Sequence, residues 1–381
     1  MHENESEVIP NEDNFEKFFK INGTYTVRDG VYDVAGDVLL IEEVKILPFK
    51  FGIVTGNFNC HDKELTSLKG APKEVGGDFG CSNNKLYSLE SAPTKVGGNF
   101  DCDGNNLSSL EGAPEEVGEG FYCSENKLIS LRGAPDKIEK DFWCTDNNKL
   151  TNLKGSPKKV GRDFWCSSNK LVSLEGAPVK VGRSFDCSYN KLTSLKGASQ
   201  EVGGNFGCSS NNLISLEGAP VKVGGGFDCM LNKLTSLKGA PKEVGKDFRC
   251  SYNDLTSLED APVKVGGAFW CDYNNLTSLE YAPKEVGGSF GCNYNKLVSL
   301  KGAPKEVGGS FGCNCNKLTT LEGVPKEVGG CFWCCGNSLT SLKGAPEEVG
   351  GDFCCGGNTK SFTEEKVKTV SRVEKDIFVN S

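Results

Sequence analysis

Apolar and polar residues alternate along this chain in a sentence that is written again and again. One copy runs Leu65-Thr-Ser-Leu68-Lys-Gly70-Ala-Pro72-Lys-Glu-Val75-Gly76-Gly-Asp-Phe79-Gly-Cys81-Ser-Asn-Asn84-Lys-Leu86. The Phe recurs from Phe58 to Phe353 at a step of 21 residues, with one extra residue between Phe142 and Phe164. A fixed period in this range means a solenoid of stacked turns, each burying its apolar face against the next.

Within a copy, Phe79 and Cys81 are two apart, so both point inward from a short strand while their neighbours point out. Stacked copies of that strand predict one parallel sheet. Leu86 and Leu89 point inward from the return path, with Ala71 and Val75. Pro72 fixes φ and lacks an N–H, so Gly70-Ala-Pro72 is a turn. The first Gly after Val75 recurs more strictly than the second, and is read as a site of positive φ or of close backbone approach. Asn84 and its counterparts sit three residues after each Cys, and a buried amide there needs backbone partners in its own turn and the next.

The ends depart from the pattern. Residues 1–32 read as a cap, with a short helix over Asn11 to Lys20 and a hairpin from Tyr25-Thr-Val27 and Val31-Tyr-Asp-Val34. Residues 33–53 read as a degenerate first turn, with Val38-Leu-Leu40 one period before Phe58. The solenoid then spans 33–358 in about sixteen turns. Ser361-Phe-Thr-Glu364 resembles a capping box, and Val367, Val370, Val373 and Ile377 predict a capping helix over 359–381. The loss of Gly at Ile138-Glu139-Lys140 and the added residue near Thr145 to Leu150 predict a local irregularity.

Composition changes the picture at two points. The chain of 381 residues holds 19 Cys, but all except four lie two residues after a ladder Phe. There they read as small buried hydrophobes in a reduced ladder. Net charge is −8, which argues against nucleic-acid phosphate or an anionic membrane as direct partner and favours a basic protein. The N-terminus shows no signal-peptide pattern, and the expected location is cytoplasmic.

The unit Phe-x-Cys-x-x-Asn-x-Leu-x-x-Leu resembles the leucine-rich repeat. Its period and Pro turn are similar to the short bacterial class, as in secreted effectors of the ubiquitin-ligase type. The Gly-Ala-Pro-Lys-Glu-Val-Gly-Gly wording also resembles repeat proteins of bacteriophages and some bacteria. Phe replaces Leu in the strand, and no catalytic domain follows. The resemblance implies a β-rich, leucine-rich-repeat-like stack that binds protein on its strand face, such as a phage or bacterial inhibitor or effector acting on a host protein.

Candidate binding residues follow from what varies on that face. Trp143, Trp165, Trp270 and Trp333 all lie between Phe and Cys, as does Tyr122, while Tyr189, Tyr252, Tyr273 and Tyr294 lie two after Cys. Exposed aromatics in contiguous turns suggest a partner surface, although stacking that only stabilises the sheet also explains them. Asp141, Asp163, Asp186, Asp228, Asp247 and Asp272 are expected to point outward, with Asp78, Asp101, Asp103 and Asp352, against Arg249 alone. An acidic mimic of nucleic acid and a carbohydrate-binding adhesin are the alternatives. Cys315, Cys331, Cys335 and Cys354 lie outside the ladder and could be inert thiols, a labile disulfide or a metal site. No cofactor and no catalytic residue is expected: His2 and His61 are the only His, and His61 with Asp62 lacks a nucleophile pattern.

Overall fold

The computed structural model describes residues 14–379. It divides into two compact units, one ending at Lys170 with Gly176–Pro178 added, the other formed by Leu171–Glu175 and the chain from Val179.

The first unit opens with a one-turn helix α1, Phe15–Phe18, and a hairpin of β1, Phe19–Arg28, and β2, Val31–Leu40, paired antiparallel along their whole length. The described part of the expected helix is thus confined to four residues, and residues 11–13 lie outside the described set. β2 runs unbroken through residues 32 and 33, so the boundary expected there falls inside a strand. Its far edge pairs in parallel with β3, Lys50–Val54, and then with Phe58-Asn59 through Val38 and Leu39. Val38 therefore starts the ladder one period early. Phe15 stacks on Tyr32 at 4.3 Å, and Phe51 packs edge-on against Phe58 at 5.1 Å, so an aromatic cluster closes the open end of the Phe column.

Each turn contributes two strands of two residues. In the first unit Phe58-Asn59, Phe79-Gly80, Phe100-Asp101, Phe121-Tyr122, Phe142-Trp143 and Phe164-Trp165 pair in parallel and in register. In the second unit the same ladder runs from Phe185-Asp186 to Phe353-Cys354. The Glu-Val or Lys-Val segment pairs as well, for example Glu243-Val244 with Lys264-Val265. The parallel solenoid thus carries two ladders per turn rather than one sheet. Val is β-branched and fully buried there, which suits a strand.

The core is a set of columns. Phe79, Cys81, Leu86 and Leu89 are all wholly buried, and so are their counterparts in the other turns. Phe rings follow one another at 5.5 Å and 7° between Phe79 and Phe100, and at 5.5 Å and 11° between Phe248 and Phe269. Aromatic pairs in this offset-stacked geometry add to the stabilisation from burial.

Two glycine positions are dictated by geometry. Ala71 N–H donates to Leu68 O at 2.9 Å across a turn whose third residue, Gly70, has φ of +98°. A turn with positive φ there is type II and selects Gly. Gly97 has ordinary φ, but a Cβ there would stand 2.1 Å from Gly76 O, so adjacent backbones touch. Of the two readings of the Gly after Val, close approach is the one observed.

The expected irregularity is visible. Glu116-Val117 and Lys137-Ile138 belong to different sheets. The extra residue lies just after Asn147, where Leu150 N–H donates to Asn147 O at 2.9 Å. Phe142 and Phe164 still stack at 5.6 Å and 8°, so the inserted residue is absorbed outside the core.

The C-terminus differs from expectation. Helix α2 spans only Glu364–Lys368, and its cap is Thr363, whose hydroxyl accepts from Lys366 N–H, rather than Ser361. Arg372-Val373 and Ile377-Phe378 then pair in parallel with Glu348-Val349 and Phe353-Cys354. Val373 and Ile377 are four apart because one sits in each ladder, and that spacing also mimics a helix. The result is one turn beyond the sixteen expected.

Candidate binding face

Three outward columns flank the Phe-x-Cys strand: the residue before Phe, the one between Phe and Cys, and the one after Cys. The column before Phe is a row of hydrogen-bond acceptors. Asn57 Oδ1 accepts from Asp78 N–H at 2.7 Å, Asp78 from Asn99 at 2.7 Å, Asn99 from Gly120 at 2.9 Å, and Asp141 from Asp163 at 3.0 Å. In the second unit Asn205 accepts from Gly226 at 2.8 Å, Asp247 from Ala268 at 2.9 Å, and Ser310 from Cys331 at 2.9 Å. Asp, Asn and Ser interchange because each offers an acceptor to the next turn's main chain.

The Asp residues of the other columns are likewise engaged. Asp186 and Asp228 accept from the N–H two residues on, at 2.9 and 3.0 Å, in Asx turns. Asp103 accepts from Ser124 N–H at 2.5 Å. Asp272 accepts from Asn293 N–H at 2.8 Å and from its Nδ2 at 2.6 Å. Most of the carboxylates expected to project freely are therefore bonded to the backbone, and Asp141 is buried. Burial pushes Asp103 up to about 7, with Asp101 adding to the shift, and burial also raises Asp228 and Asp272. Arg249 donates to Asp247 at 2.8 Å and so is paired.

The aromatic candidates fall into two groups, one on each unit. On the first, Trp143 and Trp165 stack at 4.6 Å and 6°, with Tyr122 tilted against Trp143 at 4.8 Å. Tyr122 is half-buried and its hydroxyl reaches Asn99 Oδ1 at 3.4 Å. The indole N–H of Trp143 is buried without a hydrogen-bond acceptor. On the second, Tyr252, Tyr273 and Tyr294 stack at 4.3 Å, tilted by 9° and 8°. They share a groove of about 640 Å3 with Met230, Arg249, Trp270, Asp272 and Trp333. Tyr189 also lies on the second unit and is 63% exposed.

The position two after Cys has a property that the spacing alone did not reveal. Tyr189, Tyr252, Tyr273 and Tyr294 have φ of +55°, +57°, +51° and +53°. The left-handed region costs an L-residue with a bulky side chain roughly 1–2 kcal/mol. Other turns place Asn83, Gly104, Glu125, Asp146, Ser168, Ser210, Leu231, Cys315, Gly336 and Gly357 there, with the same sign of φ. The Asn, Asp and Gly in that set were the available signal.

The four additional thiols fall in four different columns, with Cys354 near enough to Cys335 and Cys331 for their charges to raise it. Cys331 Sγ accepts from Asp352 N–H at 3.3 Å, filling the acceptor column, while Cys335 lies four residues along the same chain segment. Burial pushes Cys335 up and Cys354 up to about 12, which opposes thiolate formation. Among the described residues no group of three or more His, Cys, Asp or Glu is arranged to hold a metal ion. His61 Nδ1 and Asp62 Oδ2 form an exposed pair at 2.5 Å.

In-register strands of a 21-residue unit, an Asn shared between turns and a Leu-lined return path settle the architecture. The fold is leucine-rich-repeat-like. No family model matches the chain, and no curated protein does. Solved structures similar to it include YopM from Yersinia enterocolitica WA-314, at 18% identity and TM-score 0.49, covering 86% of this chain and 78% of that one. YopM from Yersinia pestis matches at 14% and 0.41, covering 84% and 88%. The functional domain of InlJ from Listeria monocytogenes, described as including a cysteine ladder, matches at 17% and 0.41, covering 79% and 68%. No described helix is long and apolar enough to cross a membrane.

Proposed function

We propose that the chain is a non-enzymatic interaction scaffold that grips a basic protein partner through the outward strand face of its second unit. The observation that carries this reading is the tyrosine stack. Three tyrosines in successive turns hold a backbone conformation that disfavours them, and their rings stay 40–48% exposed. Other turns fill the same position with Asn83, Gly104, Ser168 or Leu231, so the backbone conformation does not itself call for an aromatic ring. Exposed tyrosine pre-organised by stacking is a common protein-contact residue, because little side-chain entropy is lost on binding. The net charge of −8 favours a basic partner.

The test is affinity capture with the purified full chain, followed by binding measurements on the captured protein. Tyr252→Ser/Tyr273→Ser/Tyr294→Ser should weaken a specific partner at least tenfold while the far-ultraviolet spectrum is unchanged. Loss restricted to Asp→Asn variants with steep salt dependence would instead indicate nucleic-acid mimicry. Retention of an oligosaccharide by the wild type and not by the Tyr variant would indicate an adhesin.

A further inference from the structure

The column between Phe and Cys changes character within the second unit. In paired strands it reads Arg249, Trp270, Gly291, Gly312 and Trp333. Two adjacent rungs carry no side chain, and an indole borders them on either side. Trp270 occupies the first gap: a Cβ on Gly291 would stand 2.4 Å from its Cε3. The second is bordered by the Asn293 side chain, whose amide atoms would stand 2.8 and 2.9 Å from a Cβ on Gly312.

We infer that this gap takes the guanidinium of an arginine, presented on an extended segment of the protein partner and stacked between Trp270 and Trp333. The inference rests on the protein-binding reading above. Where this column carries indoles on consecutive turns, they stack, as Trp143 and Trp165 do at 4.6 Å. A missing rung is therefore a place in a stack that a planar group can fill from outside. With the Trp270 ring over Gly291, about two steps of about 4.8 Å remain before Trp333, enough for one intervening plane.

The charge of the groove selects a cation over a neutral ring. Arg249 is already paired with Asp247. Asp272 is held only by neutral donors, from Asn293 and, at 3.4 Å, from the Ser251 hydroxyl. A half-buried carboxylate with neutral neighbours attracts an incoming cation. Guanidinium combines that charge with a flat, weakly hydrated face that stacks on indole and phenol rings.

The experiment uses the purified full chain and labelled Gly/Ser decapeptides carrying two Arg, two Lys, two Phe or two Glu, read by fluorescence polarisation. Gly312→Trp fills the gap with a residue this column already accepts, and displaces the Asn293 amide, which donates to Asp272 at 2.6 Å and accepts from Asn314 N–H at 2.8 Å. The expected result is binding of the Arg peptide, weakened at least tenfold by Gly312→Trp and by Asp272→Asn, with no binding of the Glu peptide. Trp333→Ala removes one wall and gives the same readout if Gly312→Trp fails to fold. Absence of Arg-peptide binding, equal binding to Gly312→Trp, or tighter binding of the Phe peptide overturns the inference. A natural partner released by the tyrosine variant but untouched by Gly312→Trp also overturns it, and leaves the protein-binding reading standing.

Discussion

Asn274 Nδ2 donates to Cys250 O, 24 residues earlier, at 3.0 Å. The same Nδ2 donates to Cys271 O at 3.1 Å, while Oδ1 accepts from Leu255 N–H at 3.0 Å. One buried amide thus ties together main-chain groups of two turns: it is the acceptor for Leu255 N–H, while each carbonyl also accepts from a neighbouring Asn, Cys250 O from Asn253 at 3.1 Å and Cys271 O from Asn295 at 3.0 Å. Replacing it with Ala leaves Leu255 N–H without this acceptor, at about 1–3 kcal/mol, and takes one of two amide donors from each carbonyl. Asn274→Ala is expected to lower the urea midpoint and to speed amide exchange at Leu255 and its neighbours. Exchange confined to the terminal turns would contradict the shared role.

The type II turn makes a paired prediction with opposite signs. Gly239 has φ of +92°, and a Cβ there would stand 2.5 Å from Leu216 O. Gly239→Ala should destabilise by about 1–3 kcal/mol. Asp260 holds φ of +65° at the equivalent place one turn on. Asp260→Gly should relieve its strain and be stabilising or neutral in thermal unfolding.

Much of this architecture was legible in the letters. Period, inward Phe, Cys and Leu, the Pro turn and the Asn ladder all depend on local spacing that repeats. What escaped was whatever one residue does for the next turn. Asp78 and Asp247 read as surface charge because an acceptor and a charge share a side chain, and only the stacked geometry shows which property is used. The same holds for Val373 and Ile377, whose spacing fits a helix and a two-ladder turn equally well. The groove at Gly312 depends on which rungs are adjacent, and so became visible only when the strands were paired.

Asp103 makes the fold pH-dependent. Its carboxyl is raised to about 7 chiefly by burial, with Asp101 adding to it. Between the ordinary carboxylate range and pH 7 the folded state holds a proton that the unfolded chain releases, so stability contributed at this site falls as pH rises through that window. Asp103→Asn keeps the acceptor for Ser124 N–H and removes the titration. The variant should gain on the wild type by about 1–3 kcal/mol at pH 8, after discount for partial exposure. At pH 4 the two should coincide in urea unfolding. A constant difference across pH would assign the effect to packing.

The thiols divide by burial. Ladder cysteines such as Cys81 and Cys271 are wholly enclosed, and burial raises them well above the ordinary thiol range. Cys315, Cys331, Cys335 and Cys354 are half-buried. Iodoacetamide applied to the native chain should label at most those four of the 19 cysteines, as read by peptide mass spectrometry. Early modification of Cys271 would mean that the turns around it open far more readily than the rest of the column.

The tyrosines of the left-handed column allow strain and function to be separated within one position type. Tyr189 has no stacked ring neighbour among the described contacts and is 63% exposed, whereas Tyr273 is stacked on both sides at 4.3 Å. Asn tolerates positive φ better than Tyr does. Tyr189→Asn should therefore stabilise the chain by about 1 kcal/mol. Tyr273→Asn gains the same relief but loses two aromatic contacts, each of about 0.5–1.5 kcal/mol, so its net effect on stability should be near zero or unfavourable. Partner affinity should respond the other way round, falling with Tyr273→Asn. If both variants stabilise equally and neither alters binding, the stacked rings serve neither the sheet nor a partner, and the strain in this column has another origin.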